Sequence, residues 1–268
     1  MPPEIINGTA VTIDGSGPPV TLVHGMGLNR HMWDWQLERL TDRFTVIRYD
    51  LLGHGDSDIP AGQYQMNHFV DQLHRLIGVL DLPPCGLVGF SLGGMIVRAY
   101  TVAHPDRVAA LAILNSPHDR TEAERAAMRT RLELAERLGP ASTIDAALER
   151  WFTAEFAARR PDVLDRVRHW MAANDPVAYA AIYRVLVEGD ADLTHAIAAI
   201  RCPTLVLACA EDHGNSPEMA RKMGALIPNA QVAIVPVLKH MGLAEDPAAI
   251  GSVLVPFLDQ HLAPDARQ

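Results

Sequence analysis

The stretch Gly86-Leu87-Val88-Gly89-Phe90-Ser91-Leu92-Gly93-Gly94-Met95 constrains the fold of this chain more than any other. An apolar run of strand length leads into Gly-Phe-Ser-Leu-Gly, and a helical pattern follows at once. This G-x-S-x-G spacing holds a serine on a tight strand-to-helix turn with its hydroxyl exposed. Gly89 and Gly93 have a steric reason, because a Cβ at either would crowd the strand and helix that the turn draws together. The helix places Leu92, Ile96, Ala99 and Ala103 on one face, and the proline of His104-Pro105 disfavours its continuation. Glycine and serine are common in ordinary turns, so the other parts of the pattern must be sought along the chain.

Before this turn, Glu4 to Ile13 reads as leading strands joined at Asn7-Gly8, a hairpin signal. Val20 to Val23 is a buried strand that exits at His24-Gly25-Met26-Gly27. A helix around Met32 to Leu40 has Trp33, Leu37 and Leu40 on one face. Phe44 to Tyr49 is the next strand, closed by Asp50-Leu51-Leu52-Gly53-His54-Gly55-Asp56-Ser57. Phe69, Leu73, Leu76, Ile77 and Leu80 mark a helix ended by Pro83-Pro84, and Val108 to Leu114 is a strand. Buried strands alternating with amphipathic helices predict a parallel sheet covered on both faces, with its ligands at the carboxyl ends of the strands.

From about Asp119 to Ala198 the strand signals stop. The spacing predicts helices over Glu122–Leu138, Ile144–Arg159, Val163–Ala173 and Val177–Val187, separated at Gly139-Pro140, Pro161 and Asp175-Pro176. An α/β core of residues 1–118 and 199–268, with an all-helical insertion at 119–198, is the expected organisation. The sheet pattern resumes at Pro203 to Ala208, a helix opens at Ser216-Pro217, and Gln231 to Val235 is the last strand. The closing helix starts at Asp246-Pro247 and carries Pro256, which predicts a kink or a break there.

The net charge of −9 lacks the basic footprint of a nucleic-acid binder, and no apolar run approaches the length of a membrane span. The first residues lack the basic and apolar regions of a secretory leader. Three cysteines, Cys85, Cys202 and Cys209, have neither the parity of a disulfide framework nor metal-site spacing. The expectation is a reduced, cytoplasmic protein without metal or other cofactor, acting on a small molecule. Association into a homo-oligomer stays open.

A serine hydroxyl is a weak nucleophile, so a base must take its proton and a third group must orient that base. Behind such a turn the chain order is serine, acid, histidine. Asp212 follows the strand at Leu205-Val206-Leu207, and His240 follows the last strand, so both leave at the edge where Ser91 does. An arbitrary one of the twelve histidines is more often structural; His240 stands out by position. Asp212 competes with its neighbour Glu211 and with Asp119, which follows the strand after the turn. The oxyanion of acyl transfer needs backbone donors, for which the N–H groups of Leu92 and Met26 are candidates, with Gly25 allowing close approach of substrate. His24 is read as orienting that loop.

Taken together, His24-Gly25-Met26-Gly27, the Asp50 to Asp58 segment, Gly89 to Gly94 and the Asp212 and His240 loops resemble the α/β-hydrolase superfamily with a helical cap. The resemblance implies a serine hydrolase for small carboxylic esters or lactones, working through an acyl-enzyme. Leu148 to Phe152, Pro161, Val167-Arg168, Met171 and the stretch from Asp175 to Tyr179 are similar to the cap of 3-oxoadipate enol-lactonases. His24-Gly25 and Lys239 depart from that family's pattern. Carbon–carbon hydrolases of ring-fission products use the same triad and are the alternative, followed by a non-catalytic ligand receptor of the same fold. Trp151, Phe152, Trp170, Tyr179 and Tyr183 are the cap's candidate substrate contacts, each competing with a plain packing role. A carboxylate-bearing substrate would want an arginine, and Arg150, Arg168 and Arg184 are the candidates.

Overall fold

A computed structural model describes residues 2–262. β1 (Glu4–Ile6) and β2 (Thr9–Asp14) form the expected hairpin, with Asn7 and Gly8 both at positive φ, as a two-residue turn between right-twisted strands requires. β3 (Pro19–Val23), β4 (Thr45–Tyr49), β5 (Cys85–Phe90), β6 (Val108–Leu114), β7 (Thr204–Cys209) and β8 (Ala230–Val235) are parallel to their neighbours, and β2 joins β4 antiparallel. Among the described residues they make one sheet in the order β1-β2-β4-β3-β5-β6-β7-β8. The chain adds β4 on one side of β3 and β5 on the other, so the strand order reverses at β3 and opens a crevice at its carboxyl end.

Helices cover both faces. α1 (Asp34–Thr41) follows a short 3-10 turn, and α2 (Met66–Val79) and α3 (Leu92–Ala103) flank β5 in sequence. Between β6 and β7 come α4 (Glu122–Leu138), α5 (Ala141–Trp151), α6 (Ala154–Arg159), α7 (Pro161–Ala172), α8 (Pro176–Glu188) and α9 (Asp190–Ala196). α10 (Pro217–Leu226), α11 (Gly242–Glu245) and α12 (Pro247–Leu262) complete the order. Successive strand residues point to opposite faces. Leu87, Ile113 and Val206 therefore join the core beneath α2, α3 and α10. Val88, Leu114 and Leu207 join the core beneath α1 and α12. Both cores extend into the helical layer, one through Leu132 and Ile182, the other through Ile144 and Val167.

Four details differ from the expectations. The helix expected over residues 144–159 is two, because Phe152 is extended (φ −121°, ψ 146°) and Thr153 starts a new helix by accepting the Phe156 N–H at 3.2 Å. Glu245 holds that corner from afar by accepting from the Thr153 hydroxyl at 2.6 Å, a tertiary contact that local pattern cannot show. α9 is an added helix. α2 ends ahead of Pro83, in a turn with Asp81 at φ 47°. α12 runs through Pro256 without a break: Pro256 is exposed, and the carbonyl it leaves unbonded belongs to exposed Ser252 and is open to water.

Candidate active site

Ser91 sits at φ 54° and ψ −114°, a backbone conformation that typically costs a non-glycine residue about 1–3 kcal/mol and is kept only where surroundings enforce it. Its N–H donates to Leu114 O on β6 at 3.0 Å, and its carbonyl accepts from the Ser116 hydroxyl at 2.8 Å. Buried Arg98 braces the same turn, donating to Gly94 O at 3.0 Å and to Pro117 O at 2.7 Å. A Cβ on Gly93 would overlap the Val23 carbonyl, and one on Gly89 would overlap that of Gly93, which is the crowding the sequence pattern implies.

The ends of β7 and β8 bring the acid and the histidine together. Asp212 Oδ2 lies 2.6 Å from His240 Nδ1, and both side chains are buried. The other carboxylate oxygen accepts the N–H groups of Gly214 and Asn215 at 3.1 and 3.0 Å, so Asp212 can turn only one oxygen to the ring. With Nδ1–H donated to the carboxylate, Nε2 is left free to act as a base. The rivals are elsewhere: Glu211 and His213 are exposed, and Asp119 is a half-exposed partner of Lys222 at 2.9 Å.

Asn115, which the sequence reading did not single out, ties these ends together. Its Nδ2 donates to His240 O at 2.8 Å and its Oδ1 accepts the Cys209 N–H at 3.1 Å, while its own φ of 45° is one that asparagine tolerates. Phe90 packs on the His240 ring with centroids 4.7 Å apart, and Trp151 does so at 5.5 Å. Lys239 explains its unusual place before the histidine by donating to Glu149 O near the end of α5.

At the exit of β3, two buried histidines set the loop. His24 Nε2 accepts from the Leu51 N–H at 2.9 Å, and its Nδ1 faces Gly25 O at 2.8 Å. His54 Nε2 accepts from the Gly27 N–H at 3.0 Å. Burial lowers the pKa of His24 to about 4 and that of His54 to about 3, so both are neutral acceptors and not proton carriers near pH 7. Asn174, just after α7, donates to Gly27 O at 3.0 Å and fastens the helical layer to this loop. Among the described residues, neither the Met26 N–H nor the Leu92 N–H is hydrogen-bonded within the chain.

Gly25, Met26, Ser91 and His240 line one cavity of about 90 Å³, whose roof includes Trp151, Tyr179 and Tyr183. Phe152 and Trp170, expected at the same place, are not part of its lining. Phe152 turns away at the end of α5 and stacks on Phe156 at 5.5 Å. Trp170 lies one residue off the buried stripe of α7 and packs on Trp35, so Met171 reaches the cavity in its stead. Arg168 and Arg184 also lie outside, paired with Asp145 and Glu136, whereas Arg150 lines the cavity together with Arg131 and with Arg120, which donates to Leu186 O at 2.9 Å; the sequence reading named neither of these two. Among the described residues no three His, Cys, Asp or Glu side chains converge as a metal site, and no helix is long and apolar enough to cross a membrane.

Residues 22–252 match the family model described as Alpha/beta hydrolase family. The chain belongs to the alpha/beta hydrolase family. It is 30% identical over 245 residues to the (E)-2-((N-methylformamido)methylene)succinate hydrolase of Acinetobacter baylyi, covering 91% of this chain and 92% of that one. The enol-lactonase of Burkholderia xenovorans LB400 superposes with a TM-score of 0.88 at 27% identity, covering 96% of this hydrolase and 99% of the enol-lactonase. A thermophilic esterase from Thermogutta terrifontis, solved with malate bound, gives a TM-score of 0.87 at 29% identity, covering 95% and 94%.

Proposed function

We propose that this hydrolase cleaves a small carboxylic ester or enol-lactone through Ser91, His240 and Asp212. The observation that carries the reading is the buried 2.6 Å contact between Asp212 and His240 at the same cavity as a serine held in a strained turn. Ser91 Oγ attacks the carbonyl while His240 Nε2 takes its proton, and Asp212 stabilises the imidazolium that results. The N–H groups of Met26 and Leu92 hold the oxyanion. The histidine returns its proton to the leaving oxygen, and a water activated by the same ring releases the acyl group and restores Ser91. No step draws on a cofactor.

The similar proteins support the choice of bond, since one is named an enol-lactonase and another an esterase. The cavity of about 90 Å³ favours a small substrate. Residues 119–198 act in this reading as the lid that selects it. Three free cysteines, two of them buried, suit the reducing cytoplasm we assign to the protein. Ser91→Ala tests the core of the reading: turnover of a panel of simple esters and enol-lactones should fall by about 10⁴-fold or more with the thermal midpoint unmoved. Retained turnover would remove Ser91 from the mechanism.

A further inference from the structure

Two cations face the catalytic cavity without an acid to meet them. Arg131 on α4 and Arg150 on α5 both line the space that Ser91 and His240 share. Arg131 Nε donates to the Tyr183 hydroxyl at 3.3 Å, and among the described residues neither guanidinium forms an ion pair. Four other arginines of this layer, none of them in the cavity lining, are neutralised. Arg129 meets Glu122 at 2.6 Å, Arg160 meets Asp162 at 2.8 Å, Arg168 meets Asp145 at 2.6 Å, and Arg184 meets Glu136. The layer thus has carboxylates in plenty, and they point outward.

Arg131 stands close enough to Arg150 to act on its charge. Burial first, and Arg131 second, hold the Arg150 pKa below its ordinary value. A guanidinium does not give up its proton in a protein, so an anion seated between these two like charges would be stabilised by both. Planar guanidinium forks match a carboxylate with paired N–H donors, and a cationic cleft in a protein of net charge −9 draws an anion out of an otherwise repelling field.

Building on the hydrolytic role of Ser91, we propose that Arg131 and Arg150 together bind a free carboxylate of the substrate. The substrate is then a short ester or lactone that carries its own carboxylate a few bonds from the carbonyl under attack. Ser91 and both arginines line one cavity, so a single short molecule seated there can present both groups. Tyr183, held by Arg131, adds a hydroxyl beside the anion and fixes the orientation of that guanidinium. Trp151 and Met171 supply apolar wall for the chain between the two groups.

The test compares monomethyl succinate with methyl 4-methylpentanoate, which replaces the carboxylate by an isopropyl group of similar shape. The wild-type protein should favour the succinate ester in kcat/KM by about ten- to hundredfold, the range of a charge-assisted hydrogen-bonded pair. Arg150→Gln and Arg131→Gln should each cut that ratio about tenfold, with Arg150→Lys restoring part of it, whereas Arg168→Gln should leave the ratio at its wild-type value. A wild-type ratio near one, or a ratio unmoved by both glutamine variants, overturns the proposal. Calorimetric titration of succinate into Ser91→Ala separates this proposal from the hydrolytic one. Succinate binding that weakens about tenfold when Arg150→Gln is added sustains the carboxylate site even if neither ester is turned over, in which case hydrolysis by Ser91 is what fails. Turnover of both esters without preference, and without succinate binding, overturns the carboxylate site and leaves hydrolysis standing. Absence of both turnover and binding overturns the two together.

Discussion

The carboxyl edge of the sheet and the helical layer above it share one cavity, yet they are built in opposite ways. At the edge, polar groups are committed to one another. Asp212 uses one oxygen on His240 and the other on two backbone donors, Asn115 joins the loops after β7 and β8, and His24 and His54 accept from Leu51 and Gly27. The layer instead sends Arg131 and Arg150, neither in an ion pair among the described residues, into the cavity beside Trp151, Tyr179 and Tyr183. Side chains tied down by several hydrogen bonds hold their geometry against thermal motion, which chemistry needs of groups that must meet within a fraction of an ångström. Unsatisfied groups are what a ligand can complete. On the proposed mechanism the difference divides the labour: the edge makes and breaks the bond, and the layer chooses the molecule.

Removing one member of the committed network should break the comparison most visibly. Asp212→Asn keeps the shape of the site but puts an amide beside His240 Nδ1 and favours the wrong tautomer, so kcat should fall by roughly 10⁴-fold. Asp119→Asn should leave kcat within about twofold, because it disrupts only an exposed pair of the kind that contributes little. Steady-state rates of the two variants on one ester decide the matter. A larger loss at Asp119 would transfer the acid's role to the end of β6.

A smaller effect is expected at Asn115, which touches loops and not the cavity. Asn115→Gly accepts the positive φ freely, so it removes the two side-chain bonds without adding backbone strain. His240 O and Cys209 N–H are then left without a partner, each at a loss of about 1–3 kcal/mol in stability. The imidazole should drift, lowering kcat about ten- to hundredfold while KM on the same ester hardly moves. An equal change in KM would mean that Asn115 shapes the binding space as well.

The same contrast governs what could be read from sequence. Ser91, Asp212 and His240 follow strand ends in a fixed order, and Gly89 and Gly93 mark a contact that only glycine fits, so local signals sufficed to bring them to one edge. The helical layer offers no such punctuation. Trp151 and Phe152 are adjacent, but the extended backbone at Phe152 turns one ring away from the cavity that the other faces. Trp170 and Met171 differ by one step of a helix, enough to exchange their roles. Arg131 had no signal at all among so many arginines, because what distinguishes it is its place in the cavity wall, a property of tertiary packing. Asn115 was within reach: an asparagine directly after a buried strand is a fit residue for a left-handed turn.

The edge should also be the more sensitive to acid, without any direct effect on the chemical step. His24 is neutral and buried, with a folded pKa of about 4 against an ordinary value of 6.5. Between those values the unfolded chain binds a proton there that the folded chain does not, so stability falls as pH drops through that window and is regained as pH rises. From pH 7 to pH 5 this single residue should remove about 2 kcal/mol. His24→Gln can still accept the Leu51 N–H, and it should lower stability at pH 7 yet flatten the loss toward pH 5 by about that amount. Urea unfolding midpoints of both proteins at the two pH values measure the difference. An unchanged pH slope would mean that water reaches His24 and lets it titrate at its ordinary value, and the edge would then be less tightly closed than its hydrogen bonds imply.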